Sequence, residues 1–137
     1  MDVEELSQIA VDCGLRVHKG LGPGLLESAY EAVLAELLVR RGLFVERQKL
    51  IPIRFENLEI DAGFRADLLI EGKLLIELKA IEKTAPVHGK QVLTYLRFLD
   101  LPVGLLMNFG ADTFREGLRR IVNNHQNTAR SSLRVNQ

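Results

Sequence analysis

A single cysteine, no excess of charge of either sign and no apolar run long enough to span a bilayer exclude several kinds of protein at the outset. Cys13 has no second cysteine with which to close a disulfide within the chain. It stands in an apolar, periodic stretch, where a buried thiol is expected rather than a reactive one. The 18 basic residues are balanced by 18 acidic ones, so there is no global positive field to draw in nucleic acid. The opening MDVEELSQIA is acidic and lacks the basic start and apolar stretch of a secretory signal. No segment approaches the ~18–20 apolar residues of a membrane span. These absences point to a reducing, cytoplasmic setting and no membrane partner. Internal repeats, low-complexity segments and long linkers are missing as well. What is present is 137 residues, 47% hydrophobic and 26% charged, the make-up of one globular domain able to build its own core.

Residues 3–17 place Leu6, Ile9, Ala10, Cys13 and Val17 at helical spacing, which predicts an amphipathic helix. The run HKGLGPG from His18 should end it, because three glycines and a proline oppose regular structure. Pro23 then suits the first turn of a second helix over about 24–41, carried by Leu26, Ala29, Tyr30, Val33, Leu37 and Leu38 and stopped at Gly42. Residues 44–55 are β-type, Glu56-Asn57 offers a turn into a further strand, and Gly63 marks a bulge or bend. The stretches from Asp67 to Ile70 and from Lys73 to Lys79 read as strands apolar on both faces, as in a sheet covered on two sides. A helix over 87–100 behind Pro86, a buried strand over 103–109 and a last helix over 112–123 complete one domain over 1–123, with a polar tail over 124–137. The order is α-α-β-β-β-α-β-α. From Arg115 onward, Arg115, Arg119, Arg120, Arg130 and Arg134 meet only Glu116 as an acid. A solvated helix face with a polar tail explains that, and so does a strip that neutralises phosphates.

Charge at the end of an apolar strand calls for a reason. In Ile76-Glu77-Leu78-Lys79, alternation sends Glu77 and Lys79 to one face. A central strand carries a carboxylate and an ammonium there only if they are paired or bound. Asp67 opens the neighbouring strand. A two-residue turn at Glu71-Gly72 would set Asp67 opposite Ile76, on the other face from Glu77. A three-residue loop, Ile70-Glu71-Gly72 with Gly72 left-handed, sets Asp67 opposite Leu75 instead. The two carboxylates are then diagonal neighbours on one face, roughly 7–8 Å apart at the backbone. So placed, they can reach around one Mg²⁺ or Mn²⁺, whose oxygen ligands lie at about 2.0–2.1 Å, and the odd-length loop is therefore expected. A metal held by Asp67, Glu77 and the Leu78 carbonyl would polarise a phosphodiester and acidify a water. Lys79 would orient that water and offset charge on phosphorus. The plain alternative is a Glu77–Lys79 ion pair at the sheet edge beside an unrelated Asp67.

Asp67, nine intervening residues and then Glu77-Leu78-Lys79 resemble the Asp…Glu-x-Lys signature of the PD-(D/E)XK nuclease superfamily. The segment from Gly24 to Tyr30 is similar to the GxxExxY motif of a small bacterial and archaeal family within it. The stretches from Val17 to Gly24 and from Pro86 to Tyr95 resemble the same family, so the likeness covers roughly residues 9–122. One departure is Ala66, where the signature often has proline.

The resemblance implies a central mixed sheet flanked by helices and a Mg²⁺- or Mn²⁺-dependent nuclease acting on DNA. It also implies that Glu27 joins Asp67, Glu77 and Leu78 around the metal, although a carboxylate in a first helical turn equally serves that turn's free N–H groups. Gln91 and Tyr95 match a Gln-x-x-x-Tyr pattern of RecB-like nucleases, with His88 about one turn earlier. That face would touch the attacking water or a substrate phosphate, or else Tyr95 packs in the core and Gln91 caps a strand end. His18 and Lys19 in the glycine-rich loop are candidates for phosphate contact. A homodimer would reconcile small size with cleavage of a duplex. The competing function is a nuclease fold without turnover, kept as a binding or scaffold module.

Overall fold

The structure is a computed structural model that describes residues 1–124, the side chain of Ala62 aside. The expected tail beyond Asn124, with His125, Arg130 and Arg134, lies outside the described residues. The elements are α1 (Val3–Leu21), α2 (Glu27–Arg40), β1 (Val45–Phe55), β2 (Leu58–Ile70), β3 (Leu74–Lys79), α3 (Pro86–Leu99), β4 (Val103–Asn108), the single turn α4 (Phe114–Gly117) and β5 (Leu118–Val122). The five strands form one sheet in sequence order, antiparallel except for the β3–β4 pair. The expected mixed sheet flanked by helices is therefore present. Among the described residues no helix is long and apolar enough to cross a membrane.

Two apolar layers sandwich the sheet. Leu6, Ala10, Cys13 and Val17 of α1 and Tyr30, Leu34 and Leu38 of α2 pack on Leu74, Ile76 and Leu78 of β3 and on Leu105 and Met107 of β4. On the other face Val92, Tyr95 and Leu96 of α3 cover Leu75, Leu106, Ala66 and Ile51. Alternation along β3 and β4 feeds both layers, which is why these strands read as continuously apolar. Cys13 is fully buried in the first layer, and burial raises its thiol pKa, in keeping with an inert core residue.

Several boundaries differ from those the sequence suggests. Helix α1 does not end before His18 but continues to Leu21 and stops at Gly22, which takes φ 68° and donates its N–H to the His18 carbonyl at 2.8 Å. Basic His18 and Lys19 in its last turn suit the negative end of the helix dipole. Its start is a reciprocal cap: Asp2 accepts the Glu5 N–H at 2.9 Å and Glu5 accepts the Asp2 N–H at 3.0 Å. Helix α2 begins only at Glu27, so Pro23 lies in the connection and not in the helix's first turn. The helix expected over 112–123 is instead one turn followed by β5. Phe114, Leu118, Ile121 and Val122 have helical spacing, but β4 has a free edge whose N–H and C=O groups need a ladder. Gly117 sits where a Cβ would come within 2.2 Å of the Asn108 carbonyl. The arginines of this segment thus do not form a helical strip: Arg119 and Arg120 occupy successive positions of an edge strand, and Arg120 pairs with Glu4.

Gly63 does mark a bulge. Ile51 pairs with Phe64 and Ile53 with Ile60, so Pro52 faces three residues of β2. A Cβ on Gly63 would approach the Ile51 carbonyl to 2.5 Å, and Pro52, with no N–H to offer, is tolerated at such a break.

Candidate active site

The loop between β2 and β3 fixes the relation of Asp67 to Glu77. It has three residues, Glu71, Gly72 and Lys73, with φ of 55° at Glu71 and 64° at Gly72. The Lys73 N–H closes it on the Ile70 carbonyl at 2.9 Å, and the Glu71 carboxylate accepts the Phe44 N–H at 2.6 Å. The odd length agrees with expectation, but the register does not. Leu68 pairs with Ile76, Leu69 with Leu75 and Ile70 with Leu74, which carries Asp67 directly across from Glu77 and not from Leu75. The expected register took Ile70 into the loop; the structure keeps it in the ladder, where its side chain is fully buried.

At that point the side chains replace the ladder. The Asp67 N–H donates to Glu77 Oε1 at 2.9 Å, and the Leu78 N–H donates to Asp67 Oδ2 at 2.8 Å. Both carboxyls are buried, with Asp67 8% and Glu77 4% exposed. Burial first, then the negative charge of Asp67, raises the Glu77 pKa to about 8, against the opposing effects of the Asp67 N–H and of Lys79. Lys79, half-buried at the end of β3, shares Glu77's side of the strand and lies beside Asn108 of β4.

Three further elements converge here. Glu27, first residue of α2 and half-buried, has its pKa raised by burial and by the charges of Asp67 and Glu31, with Lys79 opposing. It therefore stands within electrostatic reach of Asp67 and Lys79. From α3, Tyr95 has its pKa raised by burial and then by Glu77 and Asp67, while Gln91 hydrogen-bonds to it. The Tyr95 ring stacks on Phe64 at 4.1 Å, so Tyr95 packs in the core and still feels the carboxylates. At the C-terminal ends of β3 and β4 an open cleft of about 630 Å³, lined by the acids Glu82, Asp112 and Glu116 and the bases Lys83 and Arg119, adjoins Lys79 through Asn108.

Two of the remaining sequence candidates, His88 and His18, have structural duties. His88 Nδ1 accepts the Ala85 N–H at 2.8 Å, capping the start of α3. His18 is not in a phosphate-facing loop: its buried Nε2 donates to the Ala111 carbonyl at 2.8 Å, and its ring lies beside Phe109 and Phe114. Lys19 is exposed in the last turn of α1, so it too is not a loop residue. Tyr30 of the Gly-x-x-Glu-x-x-Tyr segment stacks on Phe109 at 4.9 Å. Its hydroxyl accepts the Leu25 N–H at 3.0 Å and donates to the Gly22 carbonyl at 2.5 Å, tying down the glycine-rich connection ahead of Glu27. Tyr30→Phe is expected to lower stability by about 1–3 kcal/mol through the two groups left unpaired; urea denaturation with an unchanged midpoint would contradict this.

Residues that sequence reasoning missed complete the site. Glu31, 5% exposed, accepts hydrogen bonds from Arg47 Nε at 3.1 Å and from Gln48 Nε2 at 2.6 Å. Gln48 Nε2 also donates to Asp67 Oδ1 at 3.1 Å. A signal for Glu31 was available, since it follows Glu27 by four residues and so shares its helix face. Nothing in the local pattern singles out Gln48.

The donor chemistry suits a divalent cation. Among the described residues no three His, Cys, Asp or Glu side chains are gathered as a metal-holding group. Mg²⁺, however, is commonly held by only one or two carboxylates, the rest of its shell being water and substrate oxygen. Asp67 and Glu77 supply two hard oxygen donors whose mutual repulsion a cation would remove.

The sheet thus sets Asp67 of β2 across from Glu77 of β3, with Lys79 two residues further on, the acid, acid and base of an Asp…Glu-x-Lys pattern. The family model described as the PD-(D/E)XK nuclease superfamily matches residues 4–121, nearly the whole described chain, and the protein belongs to that superfamily. Its members generally use divalent metals such as Mg²⁺. No curated protein and no solved structure matches the chain.

Proposed function

We propose that this protein is a divalent-metal-dependent nuclease that hydrolyses phosphodiester bonds in DNA, and that it belongs to the GxxExxY branch of its superfamily. The observation that carries this is the buried Asp67–Glu77 pair with Lys79 on the Glu77 side of β3. Buried like charges are unfavourable unless a bound cation or a proton compensates them. Asp67, Glu77 and the Leu78 carbonyl, with Glu27 alongside, would hold Mg²⁺ or Mn²⁺, which supplies Lewis-acid polarisation of the phosphodiester and a lowered water pKa. Lys79 orients the attacking water and offsets negative charge gathering on phosphorus. Gln91 holds the Tyr95 hydroxyl, and that hydroxyl contacts a substrate phosphate oxygen.

The balance of 18 cations and 18 anions favours a second reading, a binding module without turnover. Calorimetric titration of Mn²⁺ into the metal-free protein, beside Asp67→Ala and Glu77→Ala, separates the two. Binding by the wild type that is lost in both folded variants, together with Mn²⁺-dependent cleavage of DNA, is the expected result. A wild type that binds Mn²⁺ neither alone nor with DNA sinks the enzyme reading. The proposed homodimer is tested on the same samples: a monomeric mass with cleavage retained removes it.

A further inference from the structure

Gln48 occupies an unusual place for a strand residue. Its φ is 51°, in the left-handed region that a glutamine rarely adopts. The β1–β2 ladder pairs Arg47 with Leu68 and Lys49 with Ala66, and is interrupted at the step between them, where Gln48 meets Asp67. The faces of both strands change there. Val45, Leu68 and Ile70 pack in the layer beneath α1 and α2, whereas Ile51, Ala66 and Phe64 pack in the layer beneath α3. In an uninterrupted strand, residues an even number apart share one face, so Val45 and Ile51 would lie together, as would Ala66 and Leu68. The backbone turns over at Gln48 and Asp67, and Arg65 Nη1 braces the turned Gln48 carbonyl at 3.2 Å.

That turn delivers the Gln48 amide to two carboxylates at once. Nε2 donates to Glu31 Oε1 at 2.6 Å and to Asp67 Oδ1 at 3.1 Å. Glu31 is itself held by Arg47. With Leu78 N–H on Oδ2, both Asp67 oxygens are then fixed, one from each neighbouring strand. We propose that Gln48 is a positioning residue: through its strained backbone and its amide it holds the Asp67 carboxylate in the orientation the active centre uses. Glu31 and Arg47 serve as the anchor for that amide. The assignment rests on the reading of Asp67 as one of the metal-holding pair.

Gln48→Gly and Gln48→Ala test it, because both remove the amide while only glycine relieves the left-handed backbone. Gln48→Gly should melt at a higher temperature than Gln48→Ala, since the lost amide is common to both and only alanine keeps the backbone strain. In both, the Leu78 amide should exchange with solvent at least tenfold faster, having lost a fixed acceptor, while Leu105 and Leu106 in β4 keep wild-type rates. Mn²⁺ affinity should fall about tenfold, the scale of outer-shell changes at metal sites. Unchanged Leu78 exchange in Gln48→Gly overturns the proposal. So does acceleration of all strand amides together, which marks a merely structural role, or unaltered Mn²⁺ affinity. If the wild type itself takes no Mn²⁺, the metal reading fails by itself and Leu78 exchange still decides the role of Gln48.

Discussion

Glu77→Gln should make the metal-free protein more stable while abolishing its chemistry. Glutamine keeps the carboxyl's shape: its oxygen can accept the Asp67 N–H that Oε1 accepts now, and its NH₂ can donate to the Asp67 carboxylate. What it removes is the need to hold a proton on a buried acid whose pKa stands at about 8. At pH 7 the unfolded chain ionises at this position and the folded chain does not, so the neutral isostere gains about 1–3 kcal/mol. A rise of several degrees in Tm is the expected reading for a domain of this size. DNA cleavage should fall by about 10³-fold or more, since the isostere is a poor ligand and carries no charge to stabilise a cation. Lower stability together with retained cleavage would mean that Glu77 is a structural group outside the chemistry.

The stability of the metal-free wild type should decline as pH rises from about 5 to about 8. Glu77 has a folded pKa raised from 4.5 to about 8. A raised acid contributes stability that is fully present below the unfolded value and is lost as pH climbs through the folded one, because the native state binds the extra proton. The Glu77 contribution to the slope is up to about 1.4 kcal/mol per pH unit across that window. Metal binding runs the other way. A cation at the pair displaces the proton, so Mn²⁺ affinity should strengthen about tenfold per pH unit up to about pH 8 and then level off. Calorimetry at pH 6.5 in two buffers of different ionisation enthalpy counts the released protons. Close to one proton is expected, and none at all would place the cation away from Glu77.

The alternation of Ile76-Glu77-Leu78-Lys79 was enough to put a carboxylate and an ammonium on one side of a central strand, and Gly72 was enough to make the preceding loop odd in length. Both are local properties: side-chain parity along a strand, and the left-handed φ that glycine accepts. The exact pairing was not local. Moving a three-residue loop along by one residue shifts the pairing by two and leaves the same side chains on the same face, so the sequence could bring Asp67 and Glu77 to one side without saying whether they lie diagonal or opposed. Burial of Ile70 in the ladder settled it.

The last segment failed for a different reason. Apolar residues spaced three and four apart predict a helix in isolation, yet at the unpaired edge of β4 the same residues form β5, with Leu118 against one core layer and Ile121 against the other. A ladder of backbone hydrogen bonds at a buried edge outweighs the weak preference of a short segment. Gln48 was beyond reach altogether. Its role depends on a positive φ and on two carboxylates from a helix and a strand 17 and 19 positions away in sequence. By itself, then, the sequence determined the layered α/β plan, the superfamily signature and the chemical character of Asp67, Glu77 and Lys79, because periodicity and residue type are written along the chain. The opposed pairing of the two carboxylates, the strand at the sheet's far edge and the Glu31–Gln48–Asp67 linkage were decided only by tertiary structure, because each depends on which distant backbone groups must be satisfied together.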